Sequence, residues 1–267
     1  MRKLLLASAA AVSLSLAAAT PALGQSSPHS WTANVGLFSN YLFRGVSQTA
    51  ADPALQGGFD YAYAAGPVNI YAGTWGSNVS WLEDAGLYTG SSLELDFYGG
   101  VNGKFGQSDF GWDAGIIYYY YTGDKVAGAV SPNTTELYGA LSWKWFSVKY
   151  SYALSDYFGL RDLNNSKTDG TWYLDLKAKY DVPNTGFSVF GHYGITEAEG
   201  TYAPGLDPSY HDWNIGGSYT VQSTVFKGTE LGAYYSDTTS IDRAVYTNPQ
   251  GKDLAKGTFV VYVKKTF

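Results

Sequence analysis

Few residues of this chain have types that do covalent chemistry, and they are widely spaced. The histidines are His29, His192 and His211, and there is no cysteine. Thiolate metal sites and disulfides are therefore excluded. A nucleophilic centre would need a Ser or His constellation, and Ser209 beside His211 is the nearest approach to one. A wet interfacial histidine explains His211 equally well. No metal-ligand spacing and no phosphate-cradling glycine motif occurs, so no catalytic residue, metal or cofactor is expected. What remains is charge at alternate positions of aromatic-rich stretches. Arg44 ends NYLFR, Asp60 sits in FDYAY, Glu94 and Asp96 alternate in LELDF, and Trp75 stands in TWGSN. Charges so placed act by field, sorting solutes rather than reacting with them.

Alternation with period two is the signature of a strand with unlike faces. It recurs from residue 31 to the last residue. Twelve strands are read at about 31–44, 57–64, 68–77, 91–102, 109–122, 134–143, 146–156, 171–181, 187–196, 210–221, 226–236 and 257–267. One face carries aliphatic and aromatic residues, such as Leu93, Leu95 and Phe97. The other carries Glu94, Asp96 and Tyr98. On strand 1 the apolar face is read as Trp31, Ala33, Val35, Leu37, Tyr41 and Phe43, with Arg44 opposite. Many outward aromatics fall toward strand ends, as rings at a lipid headgroup level do. The pairs Gly57-Gly58, Gly99-Gly100 and Gly216-Gly217 read as bends that help a sheet curve.

The connections sort by length. Those near 65, 105, 145, 184 and 224 are short, and those near 50, 84, 128, 163, 203 and 247 are long and polar. Bacterial outer-membrane barrels have this asymmetry and soluble sandwiches have no reason for it. The expected fold is an all-β, closed antiparallel transmembrane barrel of about 12 strands, with short periplasmic turns and longer external loops.

Residues 1–24 read as a secretory signal peptide: Arg2 and Lys3, an apolar run, then Ala22-Leu23-Gly24. Residues 25–267 are then one barrel domain. Of 17 basic residues, removal of Arg2 and Lys3 leaves 15 against 23 acidic ones, a formal net charge of −8. That balance argues against nucleic acid as a partner. No stretch after the leader approaches a membrane helix, but strands of about 10 residues suffice for a barrel.

The segments NYLFRGVSQT at 40–49, PALQGGFDY at 53–61, YAGTWGSN at 71–78 and ELDFYGG at 94–100 together resemble the TorF-type porins of proteobacteria. The resemblance covers essentially the whole chain after the leader. It implies an outer-membrane barrel with a porin role, and supplies no ligand or catalytic residue.

The working expectation is a narrow, charged channel of a Gram-negative outer membrane, for passive diffusion of small polar solutes or ions. The alternative is a closed structural or adhesive barrel that works through its external loops. Inward charges are read as Arg44, Lys149, Lys177, Lys179 and Lys264 against Asp60, Glu94, Asp96, Asp113, Glu136, Asp175, Asp212 and Glu230. Arg44, Asp60, Trp75, Glu94 and Asp96 are the candidate constriction, either as a selectivity filter or as struts, with Arg44 facing Asp60. Phe259, Val261, Val263 and terminal Phe267 share a face and form a candidate assembly signal, with Lys265 interrupting it. The expected partners are outer-membrane lipid, lipopolysaccharide and the barrel-assembly machinery.

Overall fold

The computed structural model describes residues 27–90 and 92–267. The leader read over residues 1–24 lies outside them. Fourteen strands and one short helix follow in order: β1 His29–Phe38, β2 Leu42–Phe43, β3 Val46–Ser47, β4 Ala54–Ala65, β5 Val68–Val79, α1 Trp81–Asp84, β6 Ser92–Lys104, β7 Phe110–Tyr121, β8 Thr134–Trp143, β9 Phe146–Ala153, β10 Trp172–Asp181, β11 Phe187–Glu197, β12 Tyr210–Thr220, β13 Thr229–Thr239 and β14 Thr258–Thr266. Twelve of the strands, all but β2 and β3, form one closed antiparallel barrel in which each pairs with its chain neighbours. β1 closes the ring by pairing with both β4 and β14.

Alternation decides the faces. Trp31, Leu37, Leu55, Ile70, Phe97, Leu141, Ile215 and Val261 are all exposed on the outside. An apolar surface so continuous has no stable place in water and fits the hydrocarbon of a bilayer. Outward rings gather at both ends. Trp31 with Tyr61, Phe110 with Trp143, and Phe187 with Tyr219 lie at the short-turn end. Tyr150 with Trp172, Trp213 with Tyr235, and Tyr235 with Phe259 lie at the long-loop end.

Inside, tyrosine hydroxyls donate to carboxylates across the strands. Tyr71 donates to Asp113 at 2.6 Å, Tyr98 to Asp60 at 2.5 Å, and Tyr262 to Glu230 at 2.6 Å. Several of these side chains lie close against a glycine of the neighbouring strand. At Gly232 an added Cβ would stand 2.2 Å from the Tyr262 ring. Gly232→Leu should therefore displace that ring and break its bond to Glu230. Overpacking of this kind costs about 1–3 kcal/mol. A lowered unfolding temperature in the heat-dependent gel shift of the purified barrel is the expected readout. An unchanged midpoint would show that the ring moves freely.

The first strand differs from the sequence reading. β1 ends at Phe38, not near residue 44. Tyr41 and Phe43 are not on the outer face: both are buried inside, and so is Arg44. The chain bends at Ser39 and returns as a small hairpin in which Phe43 pairs with Val46. Arg44 and Gly45 have φ of 46° and 78°, the positive pair that a two-residue turn between strands requires. Alternating apolar residues suit such an inner hairpin as well as a wall strand, and here the interior supplies their partners. Phe43 packs edge-on against Tyr119 and Phe158.

The apolar core accordingly lies between wall and loops. Phe43, Val46, Trp81, Leu82, Tyr157, Phe158, Tyr210, Tyr246 and Leu254 belong to it together with inward wall residues such as Ile117. The turn α1 at Trp81–Asp84, absent from the sequence reading, carries Trp81 and Leu82 into that core.

Candidate lumen site

The first loop, residues 39–53, reaches into the long-loop half of the barrel and carries Arg44 at its tip. Arg44 Nη2 contacts both oxygens of Glu136 on β8, at 3.0 and 2.8 Å, and Nη1 donates to the Tyr157 hydroxyl at 2.8 Å. The guanidinium carbon lies 4.2 Å from the centre of the Tyr173 ring and 4.6 Å from that of Phe43. Such a two-pronged, stacked geometry is available to arginine and not to lysine. Beside it Gly45 rests on the wall, where an added Cβ would stand 2.7 Å from Asp212 and 2.8 Å from Thr238.

The flanks of this loop are also tied down. Tyr41 donates to Glu94 at 2.8 Å and packs edge-on against Trp75. The Gln48 carbonyl accepts from the Ser80 amide, and the Ser47 amide donates to the Leu254 carbonyl. Lys252 of the sixth loop, residues 240–257, bonds to the Ala50 carbonyl.

The five residues read as a constriction all lie inside the barrel, in an arrangement the sequence did not show. Arg44 is on the inserted loop rather than on the wall, so its partner is Glu136 and not Asp60. Asp60 accepts instead from Tyr98. Trp75, Glu94 and Asp96 lie beneath the loop, and both carboxylates are fully buried. Neither oxygen of Asp96 has a hydrogen-bond partner among the described residues.

A second charged group sits on the opposite wall. His192 on β11 lies 3.3 Å from both Asp175 and Asp212, and Lys177 pairs with Asp175 at 2.6 Å. The Lys149 ammonium is 3.9 Å from the centre of the Tyr138 ring. Between Arg44, Lys149, Tyr173 and Lys177 remains a cavity of about 20 Å³, room for about one water. Acidic side chains thus dominate β4, β6, β7 and β8, whereas Lys149, Lys177 and His192 on β9 to β11 surround Asp175. Of the tyrosines that complete the Arg44 environment, Tyr173 is legible in the sequence only as an inward residue of its strand, and Tyr157 escaped the sequence reading. Tyr157-Phe158, the aromatic pair of its loop, was the available signal.

The other histidines are engaged elsewhere. His211 faces outward and shares a 2.7 Å hydrogen bond with the Tyr193 hydroxyl, while Ser209 accepts from the Ala198 amide. The two are not paired with each other. His29 shares a hydrogen bond with Tyr61 at the short-turn end.

The outer loops are joined through Asp162 in the fourth loop, residues 154–171. Its carboxylate accepts from the amides of Ser166 at 2.6 Å, Asn164 at 2.9 Å and Thr201 of the fifth loop at 3.5 Å. Those amides, Ser166 first, hold the carboxyl below its ordinary range. A depressed folded-state value means that the stabilisation is complete above the ordinary carboxylate pKa of about 4. It is lost only as pH falls through the lowered value. Hydrogen exchange should show the Ser166 amide protected at pH 5 and above and released at lower pH. Release at neutral pH would refute the assignment.

A closed barrel of this kind, apolar and aromatic-belted outside and polar within, defines the chain as a transmembrane β-barrel protein. The chain belongs to the Gcw_chp family, described as bacterial proteins of unknown function, whose model matches residues 22–267. No curated protein matches it in sequence. Its fold is similar to that of an outer membrane channel from Pseudomonas putida F1, with a TM-score of 0.53, 10% identity, and 89% of this chain and 95% of the other covered. A second solved structure, from a study of in-meso crystallisation of membrane proteins, matches with a TM-score of 0.51, 9% identity, and 89% and 83% coverage. At these identities the likeness is one of fold.

Proposed function

We propose that this chain is a porin-like channel of the bacterial outer membrane, of the TorF type, passing small polar solutes or ions by diffusion and catalysing no reaction. The observation that carries this reading is how the lumen is filled. Barrels of about eight strands fill themselves with their own wall side chains, and a wider ring leaves room. Here the room at the long-loop end is taken by residues 39–53, a separate segment whose tip is held by one ion pair, a tyrosine bond and ring stacking. What a loop fills, a loop movement opens.

In this reading residues 1–24 are a cleaved leader, residues 25–267 the barrel, and the long loops external. Lipid surrounds the apolar band, and lipopolysaccharide meets the outer aromatic belt. The face of Phe259, Val261, Val263 and Phe267 is presented to the assembly machinery. The second reading is a closed structural or adhesive barrel. It is supported by the apolar core beneath the loops and by a cleft of about 690 Å³ between the fifth loop and Asp242.

Planar-bilayer recording of the purified barrel separates the two. Discrete conductance steps are expected. The reversal potential in a salt gradient should show a weak cation preference, because carboxylates outnumber cations inside. It should fall as salt rises. Changing Glu94 and Asp96 to Gln and Asn should reduce it further. Anion preference, or an unchanged value in the double variant, would mean that Glu94 and Asp96 do not line a conducting path; no current from any preparation would refute the channel reading.

A further inference from the structure

Arg44 makes the contacts that a free guanidinium ligand would make. A carboxylate faces its fork, a tyrosine hydroxyl accepts from its other edge, and an aromatic face lies beneath its plane. Planar organic cations are recognised by this combination of a paired carboxylate and π faces. Most of the seat does not come from the loop that occupies it. Glu136 belongs to β8, Tyr173 to β10 and Tyr157 to the fourth loop; of the groups around the guanidinium, Phe43 alone travels with Arg44. Withdrawal of the first loop would therefore leave the seat standing.

Two further buried carboxyl groups lie inside the same half of the barrel. Asp96 is fully buried and has no hydrogen-bond partner among the described residues. Asp212, also fully buried, lies against Gly45 next to Arg44, accepts from the Tyr173 hydroxyl and lies 3.3 Å from His192. A buried carboxyl group without a partner is costly to ionise, and a cation bound nearby would favour its ionised form.

We propose that Glu136, Tyr157 and Tyr173 form a lumenal binding seat for guanidinium-type organic cations, which Arg44 of the chain's own loop fills in the closed barrel and from which such solutes displace it. The displacement step rests on the channel reading; the seat does not. A solute that binds only when Arg44 has left can shift the barrel only toward the open form.

The seat is tested first without any current. Purified full-length Arg44→Ala barrel in detergent is heated with methylguanidinium chloride, with sodium chloride of equal ionic strength, and with urea. Methylguanidinium should raise the unfolding midpoint of Arg44→Ala by several degrees over both controls, as a ligand of the native state does. It should leave the wild type and the Arg44→Ala/Glu136→Gln double variant unmoved. Equal shifts in all three proteins, or none in Arg44→Ala, would overturn the seat. Arg44→Gln, which removes the charge while keeping much of the stem, serves in the same assay if the alanine variant does not assemble. Displacement is tested in planar bilayers. Methylguanidinium should raise wild-type conductance several-fold over sodium at equal ionic strength, and Glu136→Gln should abolish the difference. Current that ignores methylguanidinium would overturn displacement and leave the channel reading intact. A stabilised Arg44→Ala barrel from which no preparation passes current would refute the channel reading alone.

Discussion

Replacing residues 41–51 with a four-residue Gly-Ser turn is expected to raise single-channel conductance several-fold. The ends of the loop already meet, because Phe38 pairs with Ala54 across β1 and β4, and the connection left between them, residues 39, 40, 52 and 53 with the four inserted ones, is ample to join two paired strands. The replacement removes Tyr41, Phe43 and Arg44 from the lumen and leaves all twelve wall strands intact. It also exposes Glu136, Glu94 and Asp96 to the water that enters. Their charge then lines the path, so the cation preference should strengthen as the conductance grows. The shortened barrel should melt at a lower temperature, because the buried Arg44–Glu136 pair and the packing of Phe43 are both lost. Breaking a buried pair from one side costs about 3–5 kcal/mol, and water entering the lumen reduces that cost here. Adding Glu136→Gln should recover part of the loss. A shortened barrel with wild-type conductance would place the barrier elsewhere.

Deleting Phe267 should reduce the folded barrel in membrane fractions to a minor part of the total. The residue works in two ways. Its backbone closes the ring, with its amide donating to the Ala33 carbonyl at 2.8 Å and its carbonyl accepting from the Ala33 amide at 3.3 Å. Its ring lies outside, in line with Phe259, Val261 and Val263, all exposed to the lipid side. Deletion shortens the seam with β1 and carries the terminal carboxylate toward the apolar band. Lys265 shares that outer face, where its ammonium lies 5.6 Å from the centre of the Phe267 ring, a position from which a long stem can carry the charge toward the interface. Phe267→Trp should retain assembly and Phe267→Asp should lose it, both read from the heat-dependent gel shift. Equal folded barrel with and without Phe267 would remove its role.

Much of this protein was legible in the chain itself. The fold class and strand count follow from alternation, which places Leu93, Leu95 and Phe97 outward and Glu94, Asp96 and Tyr98 inward with no knowledge of neighbours. The end at which the barrel is elaborated follows from loop length. These are local properties: a strand's period and a turn's composition are written within a dozen residues. Inward residues such as Asp60, Trp75, Glu94 and Asp96 were identifiable for the same reason.

The tertiary structure alone decided what those residues do. Alternation in NYLFRG is the same whether the segment continues a wall strand or folds back as a hairpin. Only the presence of Tyr119, Phe158 and Glu136, from β7, the fourth loop and β8, makes the inside the better place for Phe43 and Arg44. The partner of Arg44 lies 92 positions away in sequence, where the barrel's curvature brings it across the lumen. No local pattern encodes that meeting. It arises because a closed ring of this width leaves an interior its walls cannot fill, and the chain fills it with its own first loop.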